Sequence, residues 1–300
     1  MLARMPTFSV PASTTNLGHG FDCLGIALGL TNRIAVEPSA GEAVVAPGAA
    51  DAGLAPLAAT VRDRCRQNWN VAVPGFSVTV TGEVPIARGM GSSATIIVGV
   101  AAACRVLAGL PADPAAVLDV AAAVEGHPDN VAAATLGGVT AIAATPAGWR
   151  WVRMAPPGDL VAVVAIPPFE VKTSEARKIL PQQLSRAEAV RGWQRSALIV
   201  AAFALPGGAA ERLRGLFDDA WHEQYRATVN PGLVEARAAA AGAGAVGTIL
   251  SGSGSTVLSF VTPERADAVA AAVLASYRGR GVAARVRVVA FAAEGVTQVA

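Results

Sequence analysis

Residues 85–95 read Pro85-Ile86-Ala87-Arg88-Gly89-Met90-Gly91-Ser92-Ser93-Ala94-Thr95. The stretch before them, Phe76 to Val84, alternates as a strand does, with Thr79 and Thr81 among valines. The stretch after them, Ser92 to Ala108, carries an apolar helix pattern. Two glycines and two serines therefore sit in a tight loop at a helix N-terminus. Unpaired backbone N–H groups and the positive end of the helix dipole meet there. Gly89 and Gly91 let the backbone approach an anion closely. Ser92 and Ser93 add hydroxyls that can touch a phosphate or its metal. That is the chemistry of a phosphate cradle. From these residues alone, an ordinary glycine turn before a buried helix stays equally open.

Outward from this loop, the chain alternates strands and helices loosely. Met5 to Pro11 and Ile34 to Pro38 read as strands, separated by a polar loop from Pro11 to Gly20. Gly41 to Leu57 reads as a surface connection and Thr60 to Trp69 as a helix. Asp113-Pro114 is a strong helix start, an N-cap followed by proline, and that helix runs to Glu125. Val139 to Ala144 and Leu160 to Ile166 read as core strands, with a boundary in the Pro- and Gly-rich stretch Pro146 to Gly158. Helices are expected over 173–180, 186–203, 231–241 and 263–277, and strands over 246–250, 256–261 and 284–290. No fixed-period repeat is present. The expectation is an α+β protein of two halves.

The 300 residues supply ample core, 53% hydrophobic but only 5% aromatic, so small side chains must pack it tightly. A net charge of +2 argues against a nucleic-acid footprint. Only Lys172 and Lys178 are lysines; the remaining cations are arginines. Cys23, Cys65 and Cys104 are widely spaced and form no metal pattern. Met1 to Val10 carry no long apolar run, and no other apolar run reaches spanning length. A soluble, cytoplasmic protein with reduced thiols and no membrane partner is expected.

Two nucleotide motifs are excluded. Neither lysine follows a glycine, so there is no P-loop. Residues 242–247 match GxGxxG, but a helix precedes them and a strand follows, which reverses the dinucleotide context and reads as a helix stop. Three further segments accompany the Gly-Ser loop: Pro11 to Asp22, with Asn16; Glu125-Gly126-His127-Pro128-Asp129-Asn130; and Ser251-Gly252-Ser253-Gly254. Singly, each has a plain reading. Asn16 and Asp22 serve turns and caps, His127 caps a helix end, Asp129 and Asn130 form a turn, and residues 251–254 make a flexible hairpin.

Together, their order and spacing resemble the GHMP kinases, and within that superfamily the homoserine kinase branch. Asn16-Leu17-Gly18, Gly20-Phe21-Asp22-Cys23-Leu24-Gly25, the 125–132 segment, Thr173 to Pro181 and Gln224-Tyr225-Arg226 carry the likeness, which covers nearly the whole chain. Met90, Thr95, Thr15 and Ser255 depart from the pattern without removing a polar group. The resemblance implies a two-domain GHMP kinase fold. Residues 1–150 would form an ATP-binding N-terminal domain with a left-handed β-α-β unit, and 151–300 a ferredoxin-like C-terminal domain. It implies phosphorylation of L-homoserine by ATP, with ATP and Mg²⁺ as co-substrate and metal, and leaves a homodimer open. Pro85 to Thr95 and Ser251 to Gly254 would hold ATP. Ser93 and Glu125 would hold the metal, with Asp119 on the same expected helix as the alternative to Glu125. Asp129, Asn130 and Glu125 would serve catalysis. Arg177 and Arg226 would clamp the substrate carboxylate and Asp22 its ammonium. Asn16, His127, Asn130 and Thr173 would complete the substrate site.

Overall fold

Apolar residues at period two build the first sheet. In a computed structural model that describes residues 5–39, 41–46 and 53–299, it has seven strands. Residues 1–4, 40, 47–52 and 300 lie outside that range, and with them parts of the N-terminal reading and of the Gly41 to Leu57 connection. Strand β1 (Thr7–Asn16) pairs antiparallel with β2 (Gly20–Pro38). The 19-residue β2 serves two neighbours. Its first half pairs with β5 (Val139–Thr145) and its second half with β4 (Phe76–Gly82). The short β3 (Val44–Val45) lies parallel to β4, joined to it through α1 (Leu54–Trp69). β6 (Gly148–Met154) forms a hairpin with β5.

Helices α2 (Ser92–Leu107) and α4 (Asp129–Leu136) cover this sheet, α1 covers its β3–β4 edge, and α3 (Pro114–Glu125) packs on those three helices. α2 is buried almost all round from Ala94 to Arg105, as its Ala- and Val-rich sequence requires. It packs on β1 and β2 and against α1, α3 and α4. Asp113 caps α3 as expected, its side chain accepting from the Ala116 N–H.

The second sheet has four strands. After β7 (Val161–Ile166) come α5 (Thr173–Lys178), α6 (Arg186–Ala204), α7 (Ala209–Leu213), α8 (Glu223–Arg226) and α9 (Leu233–Gly242). Then follow β8 (Gly247–Leu250), β9 (Val257–Val261), α10 (Ala266–Gly279) and β10 (Arg285–Val289). The spatial order is β10-β7-β9-β8, antiparallel throughout. A β-α-β-β-α-β chain in the order fourth, first, third, second is the ferredoxin-like arrangement. The chain then returns to the first sheet, where β11 (Thr297–Val299) pairs with β1.

Three sequence expectations need correction. Pro11 to Gly20 is not a loop up to its end: β1 continues to Asn16, because Ser13, Thr14 and Thr15 are buried and bonded inside the protein. The Pro- and Gly-rich stretch from Pro146 holds β6, so a division at 150 falls within a strand, and the passage between the sheets is 155–160. Asp129 and Asn130 open α4 rather than forming an isolated turn. The GxGxxG stretch does end a helix, as expected.

Candidate active site

The Gly-Ser loop leads into α2 with Gly89 at φ 72° and Gly91 at φ 68°, both left-handed. The structure gives these glycines a second reason besides conformation. A Cβ on Gly89 would meet the Ser251 carbonyl oxygen at 2.0 Å, and one on Gly91 would meet Ser13 Oγ at 2.1 Å. The loop is clasped from behind. Ser251 Oγ donates to the Gly89 carbonyl at 2.6 Å, the Thr256 N–H donates to the Arg88 carbonyl, and the Ser13 N–H donates to the Met90 carbonyl. The loop at 251–254 thus buttresses the first turn of α2, which has no side-chain cap. Its open N–H groups face a cleft of about 790 Å³.

Across this cleft lies the turn between α3 and α4. Glu125 is the last residue of α3 and Asp129 the first of α4, so Glu125, His127, Asp129 and Asn130 converge within six residues. Ser93 Oγ donates to Glu125 Oε2 at 2.9 Å. Burial raises the Glu125 pKa, opposed by the His127 charge and the Ser93 hydrogen bond. His127 Nδ1 sits 3.2 Å from Asp129 Oδ1, and its Nε2 sits 4.0 Å from Glu125 Oε1. Burial opposes a proton on His127, but the bond to Asp129 and both carboxylate charges outweigh it, and its pKa is raised. Asp129 Oδ1 also accepts from the Asn130 N–H at 2.8 Å. Asn130 holds β1 at both ends of its amide: Ser13 Oγ donates to its Oδ1, and its Nδ2 donates to Thr15 Oγ1.

The third wall carries two arginines. Arg177, on α5, binds Asp22 through two hydrogen bonds, Nη1 to Oδ2 at 2.9 Å and Nη2 to Oδ1 at 2.6 Å. The two side chains remain 35% and 33% exposed, within reach of a solute. Arg226, the last residue of α8, is 2% exposed and has no carboxylate within 4.0 Å among the described residues. Burial, and then the Arg177 charge, push its pKa down to about 10, so it stays charged at neutral pH. Both guanidinium carbons lie 5.3 Å from the Phe21 ring centre. Thr173 Oγ1 approaches Ser253 Oγ at 3.4 Å.

Most sequence candidates line this one cleft. Asn16, Asp22, Glu125, His127, Asp129, Asn130, Thr173, Arg177 and Arg226 all do, with Ile86 to Gly89, Gly91 to Ser93, Gly252 and Ser253. Pro85, Met90, Ala94, Thr95, Ser251 and Gly254 do not. Met90 and Ala94 are core residues, Thr95 bonds Asn32 and the Ser92 carbonyl, and Ser251 and Gly254 support the loop. Arg88 lines the cleft, but its guanidinium is spent on the Pro167 and Pro168 carbonyls. Asn16 is likewise occupied: its Nδ2 donates to the Gly252 carbonyl and its Oδ1 accepts from the Asp22 N–H. Asp119 is exposed and away from the cleft. Sequence reading missed the apolar end formed by Leu54, Leu57, Val80, Val84 and Ile96, whose residues look like ordinary core. It also missed Phe21 as the platform for both arginines; its place beside Asp22 was the available signal.

The family profile for the GHMP kinases N terminal domain matches residues 56–138, and that for GHMP kinases C terminal matches 199–279. A homoserine kinase of Trichormus variabilis is 39% identical over 97% of this chain and 98% of its own. One from Microchaete diplosiphon is 37% identical over 94% of this chain and 93% of its own. The crystal structure of homoserine kinase from Cytophaga hutchinsonii superposes with a TM-score of 0.89 at 24% identity, covering 100% of this chain and 98% of that one, which shows the fold. With identity at this level across the length of the protein, the chain belongs to the homoserine kinase branch of the GHMP kinases, enzymes that phosphorylate a hydroxyl group with ATP.

Proposed function

We propose that the chain transfers the γ-phosphate of ATP to the side-chain hydroxyl of L-homoserine, giving O-phospho-L-homoserine as a step towards threonine. The observation that carries this reading is Arg226: a buried, charged guanidinium at the cleft with no carboxylate partner among the described residues. Such a group calls for an anion from outside the chain. Next to it, the Arg177–Asp22 pair presents one positive and one negative group, which suits an amino acid and not a neutral sugar.

The adenine fits the apolar end at Leu54, Leu57, Val80 and Ile96, and the phosphates fit the first turn of α2. Ser93 and Glu125 suit Mg²⁺. They are hard oxygen donors already 2.9 Å apart, and a cation beside Glu125 would add to the His127 charge in offsetting its burial. No cluster of three or more acidic, His or Cys side chains that could hold a metal exists among the described residues, so phosphates and water would have to complete the shell. When bound, Mg²⁺ neutralises charge on the transferring phosphoryl group. The chain's own part is positioning. Arg177 and Arg226 hold the carboxylate, Asp22 the ammonium, and the α4 N-terminus with Asp129 and Asn130 the reacting hydroxyl. Lys172 lines the cleft but pairs with neither Asp129 nor Glu125, so direct transfer without a lysine-assisted base fits best. Unpaired cysteines and two small charged substrates suit a cytoplasmic reaction.

Purified protein with ATP and Mg²⁺ is expected to release ADP and form phosphohomoserine with homoserine, and to do neither with galactose or mevalonate. Turnover of either alternative without turnover of homoserine overturns the assignment.

A further inference from the structure

Arg226 owes its direction to groups behind the cleft. Its Nε donates to the Ala176 carbonyl at 3.2 Å and its Nη1 to the Gly252 carbonyl at 2.9 Å. Nη1 also lies 3.3 Å from Nδ1 of His222, the N-cap residue of α8 four positions earlier. Its Nη2 has no hydrogen bond among the described residues, which leaves that nitrogen for a ligand. His222 is fully buried. Its other ring nitrogen, Nε2, faces the Gly18 carbonyl at 3.3 Å.

These two contacts fix the state of the ring. A carbonyl only accepts and a guanidinium only donates. His222 must therefore be neutral, with its proton on Nε2 and a lone pair on Nδ1 aimed at Arg226. The surroundings agree. Burial pushes its pKa down to about 4, against the nearby Asp219 charge. Asp219 itself is spent on the N–H groups of Trp221, His222 and Glu223, which seat the ring at the start of α8. Phe21 lies over His222 at 5.5 Å and over Trp221 at 5.8 Å, so the platform that carries both arginines rests on the same ring.

We propose that His222 is a positioning residue for substrate recognition: its Nδ1 lone pair fixes the rotation of the Arg226 guanidinium so that Nη2 meets the carboxylate of an amino-acid substrate. This rests on the homoserine reading above. The Ala176 carbonyl ties the same guanidinium to the helix that carries Arg177, so one rotation sets both arginines in register. Without the lone pair the guanidinium keeps its charge but loses one of its three fixed contacts.

His222→Phe keeps an aromatic ring under Phe21 and removes the acceptor. His222→Asn returns an acceptor near the Nδ1 position, whereas His222→Gln returns one near Nε2. Steady-state kinetics with homoserine, its methyl ester and ATP read the result. His222→Phe is expected to raise the homoserine KM about tenfold, with kcat and the ATP KM within about twofold, and to narrow the preference for the acid over the ester. His222→Asn is expected within about threefold of wild type. An unchanged homoserine KM in His222→Phe, or an equal loss for ATP and homoserine, overturns the proposal. Should His222→Phe fail to fold, the Asn and Gln variants decide: a homoserine KM at least about fivefold higher for Gln supports it, and equal values overturn it. Wild-type turnover of homoserine in the same assay tests the functional reading separately, and its absence removes both.

Discussion

Glu125 and the two arginines mark the residue scale of this site, because each is a charge set at the wall of the cleft. Glu125 is buried, which raises its pKa, while the Ser93 hydrogen bond and the His127 charge favour its carboxylate, as a bound cation would. Glu125→Gln and Ser93→Ala are each expected to lower kcat and kcat/KM about tenfold to a hundredfold. The range follows from the roughly 1.5–3 kcal/mol carried by a charged contact. Steady-state assays at saturating Mg²⁺, with circular dichroism to show the fold intact, check this; full activity in Glu125→Gln moves the metal ligand elsewhere. Arg177→Ala is expected to raise the homoserine KM over the same range while leaving ATP nearly unaffected, and Arg177→Lys to recover part, since lysine lacks the planar fork. The control is homoserine methyl ester. Wild type should discriminate against it, and Arg177→Ala much less; equal discrimination shows that Arg177 does not read the carboxylate. The motif residues were legible at this scale, but the contacts that hold them were not. Asn16 reads as a binder, and one N–H of its amide goes to the Gly252 carbonyl while its oxygen accepts from the Asp22 N–H. Asp22 and Arg177, proposed to take opposite ends of a substrate, bond one another across the open cleft. No sequence spacing encodes which polar atom is already satisfied by a segment more than a hundred residues away.

Among the elements, periodicity located α2, α3, α6 and the strands of the second sheet, because each has one buried face or is buried throughout. It failed where burial and polarity part company. The last turn of β1 is Ser13-Thr14-Thr15-Asn16, polar in sequence yet buried, because these residues bond Asn130, Ser251 and Gly252. β6 failed for the opposite reason: it is an edge strand, largely exposed, within a Pro- and Gly-rich stretch. α8 has only four residues, too few for any periodic signal, yet it carries both Arg226 and the start of the His222 contact. A pH effect belongs to this element. The folded pKa of His222, about 4, lies below its ordinary value of 6.5, so the unfolded chain takes up a proton first as the pH falls. The linked stability is present above about pH 6.5 and is lost between there and pH 4. Linkage puts the loss at about 2 kcal/mol between pH 7.5 and pH 5. Urea unfolding at both pH values is expected to show this loss in wild type beyond that in His222→Asn; equal losses in the two proteins mean that His222 is not buried neutral.

Across the whole molecule, the cleft lies where two sheets share one core. The cluster that joins Ala12, Ile26 and Leu28 of the first sheet to Ala162, Val164, Leu258 and Phe260 of the second is a single buried body. The walls of the cleft divide the same way. Thr15, Ser93 and Glu125 come from the first half, and Thr173, Arg226 and Gly252 from the second. The chain's return through Phe291, bridged to Leu28, and through β11 on β1 adds a second tie between the halves. A shared core of this kind makes either half unstable without the other, since parting them would expose those side chains to water. Calorimetry is therefore expected to show one cooperative unfolding transition. A ligand that bridges the walls then stabilises the whole. At a concentration of about a hundred times its Kd, homoserine or Mg·ATP contributes about 2.7 kcal/mol, which raises Tm on the order of 5 °C. Galactose and mevalonate are expected to leave it unmoved. Two separate transitions, with ligand shifting only one, would show that the halves fold independently and that the shared core does not couple them.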